Sequence, residues 1–79
     1  MDDLDILERV LLLAIYKKEK DESLKEVLKK LVNSGAFLNL QEAKDSLKLL
    51  RDKKYVVDNS LSMVGVLEAK KVEESFKLE

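Results

Sequence analysis

The chain has 79 residues, a formal net charge of −1, and neither cysteine nor histidine. A chain this short makes one domain, residues 1–79, and the two missing residue types exclude a disulfide framework, a thiolate or imidazole metal site, and Cys or His catalysis. With 46% apolar and 39% charged residues, two glycines and no proline it reads as folded and helix-rich; no apolar run reaches the ~18 residues of a membrane span, so a cytoplasmic protein without a membrane partner is expected.

The first helix is predicted from about Asp3 to Lys18, with acids in its first turn and Lys17 and Lys18 in its last, as the helix dipole favours. Leu4, Leu7, Leu11, Ala14 and Ile15 form its inward face, and Ile6, Val10 and Leu13 widen that face. Leu12 and Tyr16 fall in the arc of Asp5, Glu8 and Arg9, where they are expected to stay partly exposed and to mark a partner surface. Residues 17–22 are a charged connector. Ser23 and Glu26 form a capping box for a second helix that ends near Asn33. It turns Leu24, Val27, Leu28, Leu31 and Val32 inward and Lys25, Lys29 and Lys30 outward. Asn33-Ser34-Gly35 stops it, and Phe37 is a core plug under the turn.

The third helix spans Asn39 to Lys54. Asn39 accepts from the free N–H groups of its first turn, Glu42 reaches back to the Asn39 N–H, and Leu38 with Ala43 makes a small hydrophobic staple. Leu40, Ala43, Leu47 and Leu50 share one stripe. Gln41, Lys44, Lys48 and Arg51 lie to one side of it, with Asp45 and Asp52 on the far flank. This outer face, with its long basic and amide side chains, has the character of a nucleic-acid recognition helix. Tyr55, Val56 and Val57, then Asp58-Asn59-Ser60, then Leu61 read as a short β-hairpin. Ser62 caps a fourth helix from Met63 to about Lys77. Gly65, Ala69, Val72 and Phe76 form its stripe, and Met63 and Leu67 extend the apolar surface. Leu78-Glu79 has the form of a vector-derived scar.

Charge is unevenly placed. Residues 1–16 carry four acids against Arg9, whereas residues 23–54 carry eight Lys or Arg against four acids, so positive charge gathers on the second and third helices. Enzymatic chemistry is not expected. The carboxylate pairs Asp2/Asp3 and Glu73/Glu74 are adjacent in sequence and point about 100° apart on a helix, and no Gly-rich phosphate loop or metal-ligand spacing is present, so no cofactor or metal is expected.

From Ser46 to Val57 (Ser-Leu-Lys-Leu-Leu-Arg-Asp-Lys-Lys-Tyr-Val-Val) the chain resembles the end of the recognition helix and the first wing strand of the winged-helix (winged helix-turn-helix) family. The resemblance is to the small bacterial and archaeal transcriptional regulators of the MarR, ArsR and PadR kind. Leu61-Ser62-Met63-Val64-Gly65-Val66-Leu67-Glu68-Ala69-Lys70 resembles the family's second wing strand and the start of its next helix, and the likeness covers about residues 4–76. Two positions depart from it. Lys54 stands where the family usually has Gly in a left-handed turn, which implies a different exit or a small strain. The wing tip Asp58-Asn59-Ser60 carries an acid and no cation, unlike wings that grip DNA.

The resemblance implies a mainly α fold, a three-helix core with a two-stranded wing and a C-terminal helix, and a transcriptional regulator that binds double-stranded DNA. The third helix would enter the major groove. Lys44, Lys48 and Arg51 would meet phosphates or guanine edges, Gln41 an adenine edge, and Lys25, Lys29 and Lys30 flanking phosphates. A homodimer is implied too, with Leu12, Tyr16, Met63, Leu67 and Phe76 as the patches to pair. The alternative is a winged helix used as a protein-interaction module without DNA, which the near-zero net charge, the acidic tip, Asp45 and Asp52 favour. No ligand pocket is expected in so small a core; one would more naturally lie at the dimer interface.

Overall fold

Each helix begins where a side chain can satisfy its free N–H groups. In this computed structural model, which describes residues 4–77, the first such residue is Asp5. Its carboxylate accepts from the Glu8 N–H at 2.8 Å, and Glu8 accepts from the Asp5 N–H at 3.0 Å. Helix α1 therefore runs Ile6–Tyr16. The expected start at Asp3 lies outside the described residues, as do Leu78 and Glu79, and neither Leu4 nor Asp5 is helical. Helix α2 (Leu24–Asn33) carries the expected Ser23/Glu26 capping box. Helix α3 (Leu40–Asp52) opens on Asn39, which accepts from the Glu42 N–H at 2.8 Å. The return arm differs from expectation: Glu42 accepts from the Leu38 N–H at 2.9 Å, not from that of Asn39. Leu38 is 87% exposed, so no staple with Ala43 forms.

The end of α3 explains the lysine at position 54. The Tyr55 N–H bonds the Leu50 carbonyl and the Lys54 N–H bonds the Arg51 carbonyl, each at 3.0 Å. That is the Schellman pattern, in which the residue after the cap turns left-handed. Helix α2 ends the same way, with Ala36 on Leu31, Gly35 on Val32, and Gly35 at φ +88°. On α3 the left-handed residue is Lys54, at φ +69°. The exit is thus the one glycine would take, adopted by a residue with a Cβ that crowds its own carbonyl. Lys54→Gly is expected to raise stability by about 1 kcal/mol, read as a higher urea midpoint with an unchanged slope.

Strands β1 (Val56–Val57) and β2 (Ser60–Leu61) pair antiparallel, with Val56 opposite Leu61 and Val57 opposite Ser60 around the two-residue loop Asp58-Asn59. Ser62 then joins three elements. Its N–H donates to the Tyr55 carbonyl at 2.9 Å, its hydroxyl donates to the Lys54 carbonyl at 2.6 Å, and its oxygen accepts from the Gly65 N–H at 3.1 Å. The last of these caps helix α4 (Met63–Lys77). Among the described residues the protein is mainly α, with four helices and a two-stranded hairpin between α3 and α4.

Helix α1 is the centre of the packing and touches α2, α3, α4 and β2. Leu11, Leu12, Phe37 and Leu50 are fully enclosed, and Phe37 fills the expected place under the turn after α2. The inward line of α1 passes through Glu8, Leu11, Leu12 and Ile15, whereas Ile6 is 59% exposed. This corrects the expected face. Leu12 is 0% exposed, against the expectation, because α1 is covered on several sides and Glu8 points inward, whereas Tyr16 stays partly exposed as expected.

Candidate functional site

On α3 the buried residues are Ala43, Ser46 and Leu50. At about 100° per residue the opposite, outward line runs through Gln41, Lys48 and Asp52. Burial of Ser46 rotates the helix away from the expected Leu40–Leu47 stripe, and both of those leucines are only partly buried. As a result Asp45 and Asp52 lie on the same outward face as the cations, not on a far flank. Gln41 donates from Nε2 to Asp45 Oδ1 at 2.9 Å, so one of its two amide donors is already engaged.

The cations are nevertheless sorted to one edge. Arg51 and Lys44 flank the line of Leu40, with Lys48 next, while the acids Asp52, Asp45 and Glu42 follow on the other side. Leu40 lines a cleft of about 250 Å³ with Lys29, Val32 and Asn33 of α2. The basic edge of α3 therefore faces α2. Lys25 lies one turn before Lys29 on the same flank of α2, so Lys25, Lys29, Lys44, Lys48 and Arg51 share one side of the molecule. All five are exposed, and among the described residues none of them forms an ion pair.

Lys30 does not join them. It lies on the other flank of α2 and pairs with Glu22. That hydrogen bond, with a second from the Glu19 N–H, holds the Glu22 carboxyl below the usual carboxylate range, and Glu22 in turn raises the Lys30 ammonium above its ordinary value. Lys30 is thus committed to fastening the connector to α2.

The hairpin tip is also committed. Asn59 accepts from the Leu24 N–H at 3.0 Å and donates to the Glu22 carbonyl at 3.3 Å. It supplies a second cap to α2 beside Ser23, and it holds the tip against the helix start. Sequence reasoning placed Asn59 in a turn on local grounds; a bond spanning 35 residues leaves no local signal. Asn59→Ala is expected to cost about 1 kcal/mol and to speed hydrogen exchange at the Leu24 amide, while the Ser23-capped Glu26 amide stays protected.

The residues expected to pair two copies fall in different places. Leu12 is in the core and cannot face a partner. Phe76, 39% exposed, continues the inward stripe of Gly65, Ala69 and Val72. Met63, Val64 and Leu67, at 83%, 55% and 56% exposed, form an apolar patch on the outside of α4. Tyr16 lies instead in a groove between the end of α1, β2 and α4. Among the described residues no cluster of acids has the arrangement of a metal site, and no helix is long and apolar enough to cross a membrane. No family model, curated protein or solved structure matches this chain.

Proposed function

We propose that this chain is a winged helix-turn-helix protein that binds double-stranded DNA with α3 in the major groove, and that it works as a homodimer. The observation that carries the proposal is the exposed edge of Lys25, Lys29, Lys44, Lys48 and Arg51, without ion pairs among the described residues, across two consecutive helices joined by a short turn. In a helix-turn-helix the second helix lies in the groove and the first crosses the backbone, so cations on their shared side meet phosphates on both flanks. Lys44, Lys48 and Arg51 then serve as phosphate or guanine contacts and Gln41 as the adenine reader, the latter by giving up Asp45. Lys25 and Lys29 position the backbone, while Lys30 remains with Glu22. The pinned, cation-free hairpin tip makes no minor-groove contact. The patch of Met63, Val64 and Leu67 pairs two copies, as an apolar surface of this kind does when rimmed by charge.

A second reading, a winged helix that binds protein, is favoured by Asp45 and Asp52 on the outward face of α3. The two readings separate on charge reversal. Lys44→Glu with Lys48→Glu is expected to weaken duplex binding roughly a hundredfold near 0.1 M salt, since each phosphate contact contributes about one decade there. Lys18→Glu with Lys20→Glu, on the connector after α1, should leave it within about twofold. Equal effects from both pairs would mean that binding is a diffuse charge attraction and that α3 reads nothing.

A further inference from the structure

We propose that the groove between the end of α1, β2 and α4 is a binding site for a small amphipathic carboxylate. Its walls are sorted by chemistry. Ile15, Leu61 and Val66 supply the apolar lining, while Tyr16, Ser60, Lys18 and Lys20 supply two hydroxyls and two ammonium groups, and none of the lining residues is acidic. Lys20 is exposed and makes no ion pair or hydrogen bond among the described residues. Lys18 places one of its three donors on the Glu19 carbonyl at 3.2 Å and keeps two for an anion. Glu22, on the same connector, is hydrogen-bonded to Lys30 and also interacts with the charge of Lys18, which leaves Lys20 as the less encumbered cation.

The volume, about 280 Å³, lies just below the roughly 300–1,000 Å³ typical of ligand sites. It suits a medium chain or a single ring with one carboxylate. The tail lies on Leu61 and Val66 and the head reaches Lys18 and Lys20, so both halves of the ligand are needed. The site is separate from the basic edge: α3 meets the hairpin through β1, the groove through β2. It stands whether or not α3 binds DNA.

The test is an amide-resolved NMR titration of the whole chain with octanoate, with octanol and acetate as controls. Saturable shifts at Tyr16, Lys18, Lys20 and Leu61 are expected with octanoate; octanol, which lacks the charge, should bind on the order of tenfold weaker, as for one lost charge-assisted contact, and acetate, which lacks the tail, at least about tenfold weaker, as for the loss of two or more buried methylenes. Lys18→Gln with Lys20→Gln should weaken octanoate about fivefold, as for two solvent-exposed charges, and leave octanol unchanged. Octanol binding as tightly as octanoate, shifts centred on Met63 and Leu67, or no saturation would each overturn the proposal.

Discussion

Gly65→Ala is expected to lower the unfolding free energy by about 2–3 kcal/mol, although the same change inside an ordinary helix raises it by about 1 kcal/mol. The sign reverses because of what lies beside Gly65. A Cβ there would overlap the Tyr55 carbonyl oxygen and stand 3.0 Å from the carbonyl carbon, and this neighbour is backbone. The same carbonyl accepts the Ser62 N–H at 2.9 Å. Tyr55 cannot retreat without breaking the bond that joins α4 to the strand before the turn. A urea titration should show the loss, and the amides of Ser62 and Gly65 should exchange faster than those of α1. A stabilised Gly65→Ala variant would show that the hairpin and α4 are not packed as described.

The second large effect concerns the ion pair beneath α1. Glu8 is 3% exposed and accepts from Lys53 Nζ at 3.2 and 3.4 Å and from the Asp5 N–H at 3.0 Å. Lys53, the C-cap of α3, keeps 30% of its side chain in solvent. The partners are therefore unequal. Removing the lysine leaves an enclosed carboxylate with a single backbone donor, whereas removing the carboxylate charge leaves an ammonium that reaches water. Lys53→Met is expected to cost about 3 kcal/mol and Glu8→Gln about 1–2 kcal/mol. Glu8→Leu combined with Lys53→Met should cost less than the two single changes together, since neither charge is stranded. Urea unfolding of all the variants at one pH measures the asymmetry; equal single costs would mean that Glu8 is better hydrated than its burial implies.

Much of this fold is legible locally because its boundaries are chemical. Ser23 with Glu26, Asn39 with the Glu42 N–H, and Ser62 with the Gly65 N–H all act within four residues, and the starts of α2, α3 and α4 follow from them. The hairpin is legible from Val56, Val57 and the turn between them. What escaped depends on distant partners. Glu8 looks like a surface acid until Lys53, 45 residues on, is placed beneath it; counting it as outward turned the predicted face of α1 and left Leu12 in water. Ser46 looks polar and outward, and its burial brings Asp45 and Asp52 round to join Lys48 on the exposed side of α3. Lys30 points away from the core as Lys25 and Lys29 do, but it lies on the other flank of α2 and bonds Glu22. Of the candidate DNA-contacting residues, six keep the outward placement expected of them without a partner that would hold them back, apart from the Gln41 bond to Asp45.

The central claim is that the basic edge of α2 and α3 meets phosphate. Fluorescence anisotropy of a labelled mixed-sequence duplex, titrated with the whole chain at several salt concentrations, tests it most directly. Binding is expected whose log affinity falls linearly with log salt, at a slope equivalent to about three to six phosphate contacts. Flat anisotropy at about 50 mM salt, where nonspecific contacts are strongest, would contradict it and leave the outward face of α3 to a protein partner.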